Sequence, residues 1–597
     1  MCGLGRQGSS WAGLSRRSLN LRLKLRRWLR PGLTAGLLFA IALPGYAANS
    51  VTVSYGPLER SVQLDDLERL AEQGILSDDL QIYAGYLNLD DGDIEQIRQV
   101  LSEPVDIDVL TIDRFLYTRQ GEYLLNILAD VIRTAGRRQD LRAIRGPVIL
   151  AAADQQEGLT LLNVLRRFPT PTVRVDLAKG LAIARELDRN VLQTSAAIGT
   201  ISQEATLLAE ELPLTAADQQ AIVRATGSGP YRIDRTALRR TPLPVDIYAP
   251  LDGAGNRLTD RPAVVISHGL GYDRTVFRYL AERLASHGFV ALAVEHRGSS
   301  AEQINALLTG RSAMVVPDDE FLERPRQITA LLDYLEAQPV WQQQIDFDRI
   351  GVLGQSFGGY TALALAGAQL NFDQLAADCP PGTLSLNISL LLQCQALELA
   401  EPGVTTLDLA DERVKAAIAI NPITSVLFGK NSLSQIEQPT LILAGGADTV
   451  APALNEQIRP YTWLTVPERY LMVMPQGTHF SVSAVSETGS EAFPLPDELI
   501  GLRPDVDRAY VAATGLAFFE THLDAGTQFR PLLSSAGTIA LSEQLSQREI
   551  PLWLLQNFSA DALQASLTQP VVAVESGVAP NSLLSPEADQ RPPQAPQ

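Results

Sequence analysis

Between a strand-like apolar run, 350–353, and a helix-like one, 360–370, the chain reads Gly354-Gln355-Ser356-Phe357-Gly358-Gly359. A serine on a sharp strand-to-helix turn needs neighbours two residues either side without side chains, because the backbone passes close to itself there. Gly354 and Gly358 meet that demand. Such a turn lifts the Ser356 hydroxyl above a sheet and leaves the Phe357 N–H, at a helix N-terminus, free to meet developing negative charge. The pentapeptide alone arises by chance in glycine-bearing chains; what constrains the fold is its place between a strand and a helix.

The strand–turn–helix pattern extends on both sides. Short strand candidates occur at 231–234 and 245–248, with a turn at 253–256. The continuous apolar run 263–267, of the kind found in strands buried on both faces, ends in His268-Gly269-Leu270-Gly271. A helix over 276–287, a buried strand over 289–294, a helix over 321–335 and the strand feeding Ser356 follow. Strands over 414–420 and 440–444, a last strand over 470–474 and a closing helix over 508–523 complete the series. Strand and helix alternating at this spacing predict a doubly wound α/β domain with a mostly parallel sheet over 230–525. Residues 371–411 interrupt the alternation as an insertion and candidate lid.

The rest of the 597 residues exceeds what one core organises, so further domains are expected. Residues 49–225 show apolar residues at helical spacing and contain no histidine, which predicts a mostly α-helical domain of unread function. Its turn Asp90-Asp91-Gly92-Asp93 lacks the spaced ligands of a calcium loop and reads as a helix N-cap. Residues 526–576 read as a C-terminal helical extension, with an amphipathic stretch over 539–567 that packs on the body or serves as a lid. The Pro/Gln/Ser-rich tail 577–597 reads as disordered.

Residues 1–47 carry eight basic and no acidic residues, then an apolar run over 32–43 and small residues at Ala47-Ala48. That pattern predicts a secretory signal cleaved after Ala47, since the run is shorter than the roughly 20 residues a spanning helix needs. Arg16-Arg17 resembles a twin-arginine pair but sits among many arginines, so the export route stays open. Removal of this segment takes the net charge from -19 to about -27, which disfavours nucleic acid and anionic membranes as partners. It also removes Cys2, and an exported protein left with Cys379 and Cys394 is expected to join them rather than keep two free thiols.

A serine hydroxyl becomes a nucleophile when a base takes its proton, and an acid must orient that base. On such elbows the chain order is serine, acid, histidine. His479, in Gln476-Gly477-Thr478-His479-Phe480, follows the expected final strand; His268, His287, His296 and His522 lack either the order or the location. His268 reads as structural and His522 as a surface residue. Asp448, after Gly445-Gly446-Ala447, is the candidate acid, the alternative being a turn-capping aspartate. The loop after residue 266 should supply the second oxyanion donor, and Leu270 is its candidate.

The blocks Val265-Ile266-Ser267-His268-Gly269-Leu270-Gly271, Leu284-Ala285-Ser286-His287-Gly288-Phe289, Val294-Glu295-His296-Arg297 and Gly354-Gln355-Ser356-Phe357-Gly358-Gly359 resemble the platelet-activating factor acetylhydrolase and dienelactone hydrolase-like branch of the α/β hydrolases. The resemblance implies an α/β-hydrolase fold and a carboxylic ester hydrolase that works without metal or cofactor, on small-molecule or lipid esters, with peripheral membrane contact. It implies Ser356 as nucleophile, His479 as base, and Leu270 with Phe357 as the oxyanion hole. The acetylhydrolases carry their acid after an earlier strand, where this chain has Ile420-Asn421-Pro422, so the role passes to Asp448. The N-terminal part resembles a helical domain of unknown function that precedes exported bacterial hydrolases. The reading is an exported serine esterase, periplasmic or extracellular; a serine peptidase and a non-catalytic envelope or binding protein on a hydrolase fold are the alternatives.

Overall fold

The computed structural model describes residues 48–568, apart from 57, 88, 106, 137–139, 381–384, 386 and 488–496. The expected signal segment and the tail beyond 568 lie outside the described residues.

The N-terminal region begins with β1 (Ser50–Tyr55) and β2 (Leu58–Gln63), and later contributes β3 (Ile132–Thr134) and β4 (Thr172–Asp176). These form a four-stranded sheet in the order β2-β1-β4-β3, which the expectation of a mostly helical domain missed. The strands are short, so their alternation spans too few residues to compete with the helical periodicity around them. Helices surround the sheet and bury Leu70, Leu125, Ile144 and Phe168 against Val51 and Val173. Asp90 caps the helix Asp91–Ser102, accepting from the Asp93 N–H at 2.9 Å in a reciprocal capping box, as the turn suggested.

This core ends near Asp176, not near residue 225. The 35-residue helix Leu177–Glu211 leaves β4 and, at about 1.5 Å per residue, runs roughly 50 Å. Its Ala197, Ile201 and Ala205 are buried in the core of the following domain, as are Ala221, Ile222 and Ala225 of the helix Ala216–Ala225.

That domain is built on nine strands: β5 (Arg232–Leu238), β6 (Val245–Leu251), β7 (Arg261–Ser267), β8 (Val290–Val294), β9 (Ile345–Gln355), β12 (Val414–Ile420), β13 (Thr440–Gly445), β14 (Arg469–Met474) and β15 (Trp553–Leu555). The two numbers between belong to a small antiparallel ribbon, β10 (Leu370–Asn371) with β11 (Thr406–Leu407). The sheet order is β15-β14-β13-β12-β9-β7-β8-β6-β5. Strands β8, β7, β9, β12, β13 and β14 are parallel, and β6, β5 and β15 run antiparallel at the two edges. Alternate residues of the central strands face two separate cores. Val265 and Val352 pack with the helices Glu320–Glu336 and Phe357–Leu365, while Val264, Ile266 and Leu353 pack with Arg278–Ser286 and Pro504–Leu523.

Two expectations are corrected here. β14 is not the last strand, because β15 pairs antiparallel with it through Leu471, Met472 and Val473. The C-terminal extension is therefore not wholly helical; Ser535–Ser546 and Ala560–Thr568 are helices that pack on the body around that strand.

The insertion 371–411 is tied at several points. Cys379 and Cys394 are joined in a disulfide. The Ser385 N–H donates to Tyr123 Oη at 3.0 Å, the Gln120 side-chain amide donates to Gln395 Oε1 at 3.2 Å, and the Ser389 N–H donates to the Val450 carbonyl at 2.9 Å. The N-terminal region and the loop after β13 thus both grip the segment. A cross-link over 15 residues of sequence stabilises by about 3 kcal/mol in the chain-entropy model. A Cys379→Ser/Cys394→Ser variant should lose about that much unfolding free energy, read as a lower denaturant midpoint at unchanged m. An unchanged midpoint, together with two alkylatable thiols in the native protein, would contradict the assignment.

Candidate active site

Ser356 has φ +56° and ψ −115°, a left-handed backbone that costs a non-glycine residue about 1–3 kcal/mol. The surroundings hold it there. Its N–H donates to the Ile420 carbonyl at 2.8 Å, and its carbonyl accepts the Tyr360 N–H at 3.1 Å as the helix begins. A Cβ on Gly354 would lie 2.0 Å from the Gly358 carbonyl oxygen, and one on Gly358 would lie 2.1 Å from the Ser267 carbonyl oxygen. The elbow can therefore form only where both positions are glycine. Phe357 opens the helix at the carboxyl end of β9, so its N–H belongs to the unpaired first turn.

His479 lies in the loop after β14 and Asp448 in the loop after β13. His479 Nδ1 is 2.7 Å from Asp448 Oδ2, and both side chains are buried. A carboxylate only accepts, so Nδ1 carries the proton and Nε2 is left as the basic nitrogen. Oδ1 of Asp448 accepts the N–H groups of Val450 (2.9 Å) and Ala451 (2.7 Å), which fixes the carboxylate plane. The two loops are laced to each other: Gly446 N–H donates to the Met474 carbonyl at 2.8 Å, and Ala447 N–H to the Gly477 carbonyl at 3.0 Å.

Asn421, just past the end of β12, serves as a brace. Fully buried with φ +42°, it accepts the Gly445 N–H on Oδ1 at 2.9 Å and donates from Nδ2 to the Thr478 carbonyl at 3.0 Å. It thereby joins the end of β12 to the acid loop and the histidine loop. Gln355 does similar work from the elbow, donating from Nε2 to the His479 carbonyl at 2.9 Å. Nothing in a single sequence marks Gln355, since the motif leaves its position unspecified.

Leu270 stands in the loop after β7, its side chain half-buried against the core. A Cβ on Gly269 would be 2.2 Å from Gln355 Oε1, so this loop presses on the elbow. His268 has both ring nitrogens engaged by backbone groups. Its Nδ1–H donates to the Gly269 carbonyl at 2.7 Å and its Nε2 accepts the His296 N–H at 3.0 Å. Burial, reinforced by the Arg324 charge, pushes its pKa down to about 3, and the same causes hold His296 well below the ordinary value. His287 bonds the Arg283 carbonyl at 2.9 Å. His522 is not a surface residue: half-buried, it contacts Tyr470 Oη at 3.2 Å and packs on Phe518.

A family model described as an alpha/beta hydrolase of unknown function matches residues 47–176, and one described as platelet-activating factor acetylhydrolase, isoform II, matches residues 232–327. The second runs from the start of β5 into the helix Glu320–Glu336 and includes the Leu270 loop. The chain is 28% identical over 137 residues to the platelet-activating factor acetylhydrolase of Bos taurus, covering 17% of this chain and 31% of that protein. It is 27% identical over 243 residues to Cutinase 2 of Thermobifida cellulosilytica, covering 40% of this chain and 64% of that one. A cutinase of Thermobifida fusca is 26% identical over the same length, with 40% and 52% covered. The chain thus spans less than two thirds of the length of each of these relatives.

Two predictions follow from the geometry. Asn421→Asp would set a carboxylate oxygen against the Thr478 carbonyl, so it should cost about 1–3 kcal/mol in urea unfolding and fail to rescue Asp448→Asn. Equal stability, or a rescued double variant, would contradict the bracing role. His268 titrates at about 3 when folded against an ordinary 6.5, so the unfolded chain takes up its proton first. The stability it supports is complete above 6.5 and is lost as the pH falls toward 3. His268→Gln should flatten the slope of stability against pH in that window, and an unchanged slope would refute the assignment.

Proposed function

We propose that this chain, which has the α/β-hydrolase fold, is an exported serine esterase that cleaves carboxylic esters through an acyl-enzyme on Ser356. The observation that supports this most directly is the buried Asp448–His479 hydrogen bond of 2.7 Å on the two loops beside a left-handed serine at the end of β9. In this reading His479 Nε2 takes the Ser356 proton as Oγ attacks the ester carbonyl. The N–H groups of Phe357 and Leu270 receive the oxyanion, and the imidazolium is stabilised by Asp448. Collapse of the tetrahedral intermediate passes the proton to the leaving alcohol. Water then enters with His479 again as base, attacks the acyl carbon and releases the acid and free serine.

Substrates of the small-molecule or lipid ester class fit this chemistry, in keeping with the similarity to a platelet-activating factor acetylhydrolase and to cutinases. Export is supported by the basic, then apolar, character of residues 1–47. Among the described residues no helix is long and apolar enough to cross a membrane.

The test is hydrolysis of a p-nitrophenyl ester series, from acetate to palmitate, by residues 48–597 and by its Ser356→Ala and Asp448→Asn variants. Turnover should fall by on the order of 10⁴-fold in each variant. A steep fall with chain length would favour a short-acyl pocket and a long-chain optimum a lipase-like one. Absence of turnover on every ester would refute the esterase reading, and near-normal turnover in Asp448→Asn would move the acid elsewhere.

A further inference from the structure

Arg324 is among the largest side chains in the protein with no solvent exposure, and its environment is centred on the loop that carries Leu270. It projects from the first turns of the helix Glu320–Glu336. Its Nη1 donates to the carbonyl of His268 at 2.9 Å, and its Nε donates to Ser299 Oγ at 2.9 Å. Ser299 Oγ in turn donates to Glu320 Oε1, which lies 3.5 Å from Arg324 Nε. The Ser299 carbonyl accepts the Gly271 N–H at 2.9 Å. The guanidinium carbon is 4.4 Å from the centre of the Phe357 ring.

These contacts share one geometric consequence. The loop is gripped at the His268 carbonyl by Arg324 directly, and at the Gly271 N–H through Ser299, which Arg324 also holds. Only Gly269 and Leu270 lie between the two anchors, and Gly271, at φ +78°, turns the chain away beyond them. The residue supplying the other oxyanion donor, Phe357, has its ring packed on the same guanidinium. One buried cation therefore touches the supports of both N–H groups.

Burying a cation costs several kcal/mol unless it is paired, and Glu320 pairs it only partly, since Arg324 Nη2 has no hydrogen-bond partner among the described residues. An apolar residue would fill the same space at lower cost. A fork that bonds a loop carbonyl and a hydroxyl at once, with its guanidinium carbon over an aromatic ring, is a role that arginine fills and lysine does not. His268 and His296 cannot supply an alternative positive brace, because both are held neutral.

We infer that Arg324 is the positioning residue of the oxyanion hole, fixing the 268–271 loop so that the Leu270 N–H points at the reacting carbonyl oxygen. The inference rests on the serine esterase reading for its catalytic consequence, but the anchoring itself is a property of the loop. It acts through Leu270 and Phe357 and does not touch substrate.

The test uses Arg324→Met/Glu320→Gln, which removes both buried charges together, and Arg324→Lys, which keeps the charge and loses the fork. With p-nitrophenyl butyrate, kcat should fall on the order of 10–100-fold in the double variant, with KM changed less than threefold, because a misdirected oxyanion donor is felt in the transition state. Arg324→Lys should recover part of that loss. Hydrogen exchange of the peptide covering 268–272 should be at least about tenfold faster in both, with the β9 peptide unchanged. If the double variant does not accumulate as folded protein, the lysine variant carries both readouts. Exchange in 268–272 matching the parent protein, or kcat within twofold of it in a folded double variant, overturns the inference while leaving the esterase reading intact. No Ser356-dependent hydrolysis by the parent protein overturns the esterase reading instead, and the exchange measurement still decides the anchoring.

Discussion

The left-handed turn at Ser356 is held by backbone segments that come within van der Waals distance of one another, and the rest of the domain is arranged to permit it. Gly354 lies under the Gly358 carbonyl, and Gly358 lies against the Ser267 carbonyl at the end of β7. The strained residue is tied to β12 through the Ile420 carbonyl. Strands β7, β9 and β12 are adjacent in the sheet, so their register delivers all three contacts together. Strain of about 1–3 kcal/mol at one residue is small beside the burial of two apolar cores, so the sheet can hold a conformation that no isolated peptide would adopt.

From that turn the site extends outward through buried polar side chains. Gln355 holds the histidine loop, Asn421 holds both the histidine and acid loops, and Asp448 is fixed by two backbone N–H groups before it meets His479. The long helix Leu177–Glu211 also reaches this region. A Cβ on Gly446 would lie 2.7 Å from Ile198 Cδ1, so the acid loop runs directly against it. The N-terminal region is thereby joined to the site at two places, through this helix and through Tyr123 and Gln120 on the insertion.

The parts that were legible in the sequence are those fixed by local rules. Glycines around a serine, a continuous apolar run for each buried strand, and an Asp-rich N-cap each leave a signal within a few residues. The order of Ser356, Asp448 and His479 along the chain sets them after β9, β13 and β14, and the fold brings Asp448 and His479 within 2.7 Å of each other. The missed elements depend on distant partners. β15 is three residues long and exists because β14 offers an open edge, while β1 to β4 stabilise one another across more than a hundred residues. Arg324 looks like any arginine on an amphipathic helix, and only the fold shows that its side chain lies beneath the Leu270 loop. Asn421 could be read as a missing acid, but its bracing role needed the positions of Gly445 and Thr478.

The proposed chemistry stands or falls on Ser356 being a nucleophile activated by His479 and Asp448. The most direct measurement is intact-mass and peptide mapping after treatment with a fluorophosphonate, which reports nucleophilicity without knowledge of the natural substrate. One adduct per chain is expected on the peptide containing Ser356, lost in Ser356→Ala and strongly slowed in His479→Ala. No adduct, or an adduct on another serine that survives Ser356→Ala, would contradict it.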